Sequence, residues 1–196
     1  ENTSSLTNAP LLANWFYNSK LGHPRGINVL EVRSFAKSSW VQMCINTIKN
    51  QVMNVNWAII PSDEEDVTDY TAEIKEVETI LKYPNRNGDN FWHVWGAFIE
   101  DVLVLDAGVV WKGRNGTGKL TELFPHDGSR FLMDIDEHGL LNQYFQYSFK
   151  FPTGAPIPFP AKDIIYGKLG VNTEHFPYGW SRLQSIQQEV EIMIQS

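Results

Sequence analysis

Three stretches of this 196-residue sequence place reactive residue types at spacings that chemistry could use. Gly113-Arg-Asn-Gly-Thr-Gly118-Lys119 follows the apolar run 109–111 and matches the first seven positions of a phosphate-binding loop, whose backbone N–H groups and lysine would hold a nucleotide's phosphates. That chemistry needs a hydroxyl at the next position to hold Mg²⁺, and a helix starting there; the residue is Leu120, and 119–124 alternates into Pro125 as a strand would. The stretch therefore reads as a hairpin with Asn115-Gly116 at its tip. Asp134-Ile-Asp136-Glu-His138-Gly139 imitates the start of a calcium loop, but position twelve is Phe145, where a bidentate carboxylate is required, so it too reads as a hairpin turn. Gly179-Trp-Ser181-Arg-Leu183 has the outline of a nucleophile elbow without its second glycine or an apolar strand leading in. Gln184 stands three residues after Ser181, the spacing of a capping box, so Ser181 is expected to cap the last helix.

The remaining candidates are weaker. The five histidines, at 23, 93, 126, 138 and 175, share no metal-ligand spacing. Cys44 is the one cysteine, so there is neither a disulfide framework nor a cysteine zinc site, and beside an apolar helical stripe it reads as a small packed thiol. No catalytic residue, cofactor or metal site emerges. An enzyme on this chain, a hydrolase or a nucleotide-binding protein, would have to use Lys119 or Ser181.

Composition narrows the class from another side. With 16 Lys plus Arg against 23 Asp plus Glu the net charge is −7, which disfavours tight non-specific binding to nucleic acid. The most apolar window, 91–111, is broken by His93, Glu100, Asp101 and Asp106, so no membrane span is expected. Seven Trp, seven Tyr and eleven Phe supply enough large apolar surface for a core and an interface.

The elements follow from periodicity and punctuation. Ser38 or Ser39 opens a helix with apolar Val41, Ile45, Ile48 and Val52 on one stripe. The run 55–60, ended by Pro61, reads as a strand, and 63–69 as an acidic loop. A helix over 71–83 would bury Ile74, Val77, Ile80 and Leu81 before Pro84 stops it. Asn90 caps a second amphipathic helix with Phe91, Trp95, Phe98, Val102 and Leu105 on its stripe, closed by Gly108. Short strands follow at 109–113, 119–124, 130–135 and 140–149, then a proline-rich extended connector to residue 160 and a strand at 163–166. A final helix over 181–196 has apolar Leu183, Ile186, Val190, Met193 and Ile194 and no stop signal, as a piece of a longer chain would. The expected fold class is α+β: N-terminal helices packed on a small, mostly antiparallel, hairpin-rich sheet, ending in a long helix.

The order of these pieces resembles the portal proteins of tailed bacteriophages, the HK97-type portal family. Phe159-Pro-Ala-Lys-Asp163-Ile164-Ile165 followed by Pro177-Tyr178-Gly179-Trp-Ser181-Arg-Leu183 is similar to that family's strand, loop, Tyr-Gly-x-Ser-x-Leu and helix signature. Upstream, 101–108 and 120–125 resemble its helix, glycine turn and hairpin, 134–140 its next turn, and 41–60 its early helix and strand. Tyr166-Gly167 and Trp180 depart from the residues usual there. The resemblance is colinear over 35–196. It implies a non-enzymatic, cofactor-free subunit of a homo-oligomeric ring, a dodecamer, at one capsid vertex. Double-stranded DNA passes through such a ring with weak non-specific contact, and terminase, capsid and head-tail adaptor proteins dock on it. The implied location is the virion, with assembly in the host cytoplasm. The implied division is an N-terminal arm (1–34), a wing-like domain (35–180) and the start of a helix towards the channel (181–196). Asp163, Ile164, Ile165, Tyr178, Gly179, Ser181 and Leu183 become structural motif positions. A small virion adaptor or free-standing binding domain, complete at this length, is the other non-enzymatic reading.

Overall fold

Asn90 opens the element around which the others are arranged. In the computed structural model, which describes residues 28–61, 70–147, 156–170 and 177–195, its side chain accepts a hydrogen bond from the His93 N–H (3.0 Å) and starts a helix over Phe91–Leu105. Three helices precede it in the chain: α1, Val29–Ala36; α2, Ser39–Met53; and α3, Thr71–Lys82. The Phe91–Leu105 helix is α4. Strands β1 (Gly108–Arg114), β2 (Leu120–His126), β3 (Phe131–Ile135), β4 (Leu141–Gln146), β5 (Ile157–Pro160) and β6 (Ile164–Gly167) follow, and α5 (Arg182–Gln195) closes the described chain.

The strands form two antiparallel three-stranded sheets, ordered β2-β1-β6 and β3-β4-β5. Each is seeded by a hairpin that the turn residues dictate. At the first, Asn115 Oδ1 accepts from the N–H groups of Thr117 and Lys119, and Gly118 takes the left-handed φ of +84° that a side chain would resist. At the second, Asp136 Oδ1 accepts from the His138 and Leu140 N–H groups and Gly139 supplies the positive φ. Register then sets Trp111 opposite Phe124 on one side and Ile164 on the other.

Apolar burial joins the layers. Val32, Ala36, Ile45, Val104, Leu105 and Leu183 bring α1, α2, α4 and α5 into one cluster. Val109, Phe131, Tyr144 and Ile164 join the two sheets, and Val94, Val110 and Leu123 seat α4 on the first. Side chains buried as completely as Leu105 and Phe131 contribute on the order of 1.5–3 kcal/mol each relative to exposure. The architecture is α+β, as the residue pattern implies.

Several local expectations fail, each for a tertiary reason. Residues 55–60 form no strand: they pair with no edge of either sheet, and Val55, Trp57 and Ile60 are exposed. The buried face of α2 is Ile45 and Met53, while Ile48, Val52 and Cys44 are exposed, so Cys44 is not a packed thiol. No residue of α3 is fully buried, and Val77 is exposed. On α4 the buried residues are Val94, Gly96, Val102, Val104 and Leu105; Phe91, Trp95 and Phe98 form a partly buried aromatic ladder that Trp57 extends by stacking on Phe91 (centroids 5.2 Å apart). Strand β2 runs through Pro125, and the expected connector contributes β5 with Pro158 and Pro160. Both strands are sheet edges, where a residue without an N–H is tolerated. The rest of that connector, 148–155, lies outside the described residues, as do the acidic loop and the arm up to residue 27.

Candidate functional site

The densest set of constrained residues surrounds the end of α4. Gly108 does not close this helix. Asp106 does, at φ 53°, the one described non-glycine residue with a left-handed backbone. Asp tolerates that conformation better than most side chains. The turn carries its carboxylate inward, where it is buried and accepts hydrogen bonds from the backbone N–H groups of Leu169 (2.5 Å) and Gly170 (3.3 Å). Gly108, now the first residue of β1, has no room for a side chain: a Cβ there would lie 2.5 Å from the Val102 side chain.

Onto this turn folds the chain leading to α5. Gly179 lies flat against Asp106, where a Cβ would sit 1.8 Å from Oδ2. Tyr178, buried, accepts a hydrogen bond through its hydroxyl from the Met133 N–H of β3 (2.9 Å). Ser181 is fully buried; its Oγ donates to the Val104 carbonyl (2.6 Å) and accepts from the Gln184 N–H (3.2 Å). Ser181 therefore caps α5 and ties it to α4 at once. Gln184 Oε1 has no hydrogen-bond partner among the described residues, so the expected capping box is half formed. Leu183 enters the helical core. The Lys168 ammonium donates to the Pro177 carbonyl (2.5 Å), closing the ends of the segment between them.

Asp163, Ile164 and Ile165 sit on the far side of β1. Asp163 Oδ1 accepts from Arg114 Nε at 2.6 Å, pinning the start of β6 to the end of β1. Ile164 is buried between the sheets, and Ile165 is half-buried against Val94, Val110 and Leu123. The seven motif positions thus divide into a group on or beside β6, within the first sheet, and a group leading into α5.

A second polar cluster ties α1 to the last turns of α4. Arg33 Nη2 of α1 bridges Asp101 Oδ1 of α4 (3.0 Å) and Asp127 Oδ1 (2.7 Å), while Asp101 Oδ2 accepts from the Gly128 N–H (3.2 Å). Gly128 is pressed on the Ala107 carbonyl, and a Cβ there would be 1.6 Å from that oxygen. Burial raises the Asp101 carboxyl to about 6, with the Asp127 charge adding and Arg33 opposing. Burial, helped by the Arg130 charge, holds His126 below the usual imidazole range; its Nδ1 meets Gln146 Nε2 at 3.0 Å within rings of Trp111, Phe131 and Phe159.

These groups hold the fold together, and the two side chains an enzyme would need are committed or covered. Lys119 begins no helix: it follows a hairpin turn, and its ammonium lies 2.7 Å from Glu76 of α3. Ser181 Oγ has no path to solvent, whereas a nucleophile must meet its substrate. No three His, Cys, Asp or Glu side chains among the described residues gather as a metal ion would require. No described helix is long and apolar enough to cross a membrane.

Asp106 escaped the sequence reading, where it figured as one more charge interrupting an apolar window. An acidic residue directly after a long apolar helix and two before a glycine is the signal that could have found it.

No family model matches the chain, and no curated protein does. Solved structures do. A chain in the neck of an empty GTA particle, computed with C6 symmetry, superposes with a TM-score of 0.59 at 18% identity, over 83% of this chain and 43% of that one. A chain in the neck of a native GTA particle, computed with C12 symmetry, gives 0.58 at 15% identity, over 95% and 47%. One in the virion of a native gene transfer agent (GTA) particle gives 0.58 at 17% identity, over 93% and 41%. The fold is that of gene-transfer-agent neck chains. The present chain spans less than half the length of each of these solved chains.

Proposed function

We propose that this chain is a structural part of the neck of a phage-like particle, and within it the wing-like portion of a portal ring. The observation that carries the reading is the fold shared along 83–95% of the chain with neck chains of GTA particles, one of them computed with C12 symmetry. The colinear motifs from Asp163 to Leu183 point the same way. On this reading 35–180 form the wing, with α1 added to its core through Val32, and α5 leads from the wing towards the channel. The ring is a dodecamer through which double-stranded DNA passes; terminase, capsid and head-tail adaptor proteins are its partners, and the virion vertex its location after assembly in the host cytoplasm. A net charge of −7 suits a conduit that must not grip its cargo. The Asp106 and Ser181 contacts fit a mechanical part, because a rigid joint transmits load between α5 and the sheets. No catalysis and no cofactor are assigned.

Native mass spectrometry of the full-length protein tests this directly. A closed ring of about twelve subunits is expected. A monomer or an open, concentration-dependent series at assembly conditions would overturn the ring, and a small adaptor would take its place.

A further inference from the structure

An outward face of α2 carries apolar side chains and no charge. The only charged residue in this helix is Lys49, and its ammonium is held sideways against Glu100 of α4 at 2.7 Å. Trp40 (78% exposed), Ile48 (43%) and Val52 (51%) recur with Cys44 every fourth residue, so they line up on one side, with Met43 at its margin. Their stripe is about 18 Å long at 1.5 Å per residue. Past the helix end Val55 is exposed as well, while Trp57 turns to stack on Phe91 of α4.

The size of the strip and its composition restrict what can cover it. The open surface of Trp40, Met43, Ile48 and Val52 amounts to roughly 450–500 Å², within the range of the largest patch on an ordinary monomer and more than half of the roughly 800 Å² each partner gives to a standard interface. A nucleic acid would need Lys and Arg here, and a membrane-surface helix would carry them along its polar face. The exposed polar residues around the strip are instead Asn46, Thr47, Asn50 and Gln51. Loss of charge around an aromatic and aliphatic centre is the composition of a protein–protein contact.

We infer that the α2 stripe is the surface on which a second copy of this chain packs in the assembled ring. The inference rests on the ring reading above and adds to it the place of contact. A closed ring covers the same strip on every subunit and leaves none open, which is how such a patch becomes compatible with a well-behaved particle.

Cys44 lies within the stripe and reports on it. Full-length protein is treated with a maleimide as the intact assembly and again after mild dissociation, and modification of the Cys44 peptide is followed by mass spectrometry. Cys44 is expected to lose most of its labelling in the ring and to regain it on dissociation. In parallel, Ile48→Glu should abolish the ring while circular dichroism and the melting transition stay near wild type. Gln51→Glu, which adds charge to the exposed side without removing apolar surface, keeps the test valid if Ile48→Glu fails to fold. An intact ring in which Cys44 labels as fast as in the free subunit would sink the α2 contact and leave the ring standing. Protection in both states would assign the cover to another part of the same chain and also sink it. Absence of any ring removes the ring reading and this contact together.

Discussion

Gly179 has the least freedom of any residue in the joint. Its neighbour Asp106 is buried and committed to two backbone N–H groups, so it cannot retreat from a Cβ placed 1.8 Å away. Gly179→Ala should cost about 2 kcal/mol or more, seen as a lower urea midpoint at unchanged slope. A change within about 0.5 kcal/mol would show that the two groups do not touch. Ser181→Ala removes both the cap of α5 and the donor to the Val104 carbonyl, so it should cost about 1–3 kcal/mol, more than a simple surface cap. Lys119→Ala breaks a largely exposed pair with Glu76 and should change stability by less than about 0.5 kcal/mol. The pair of variants separates two ideas at single-residue resolution, because an enzyme built on either side chain would lose turnover, whereas a structural part would show a stability loss for Ser181→Ala and almost none for Lys119→Ala. The left-handed backbone of Asp106 was beyond a local reading, since what rewards it is a carboxylate reaching residues 169 and 170, more than sixty positions away.

At the scale of elements, α1 is held to α4 and to the turn before β3 by Arg33, Asp101 and Asp127. The Asp101 carboxyl stands at about 6 in the fold, raised from 3.8. The folded state thus holds the proton more tightly than the unfolded chain. The stability linked to this group is fully present below about 4 and is lost as pH rises through about 6. Urea unfolding of wild type and Asp101→Asn from about pH 4 to pH 7 should show the wild type losing ground to the variant across that window. A difference that stays flat would mean that Asp101 is hydrated and not buried. His126 acts in the opposite sense: with its imidazole held low by burial, folding stability falls as pH drops through the ordinary histidine range. The hairpins at Asn115–Gly118 and Asp136–Gly139 were legible in the sequence because side chain and turn sit within five residues of each other. The exposed side of α2 was not legible, since periodicity says which residues share a face and not whether anything lies against it.

For the whole molecule, the ring is the claim to test, and native mass spectrometry and Cys44 protection approach it from stoichiometry and from contact. Composition and turn chemistry by themselves determined that this is an α+β chain with hairpins, acidic and aromatic-rich, whose phosphate-loop and calcium-loop imitations are turns. Those properties depend on local backbone preference and on counts of charge, and both are written residue by residue. Tertiary structure alone decided that 55–60 stays unpaired, that β2 and β5 accept prolines at sheet edges, that Cys44 faces outward and that Asp106 locks the start of α5. Each of these depends on what arrives from a distant part of the chain: a strand needs an edge to pair with, a helix face needs a neighbour to bury it, and a buried carboxylate needs donors to satisfy it.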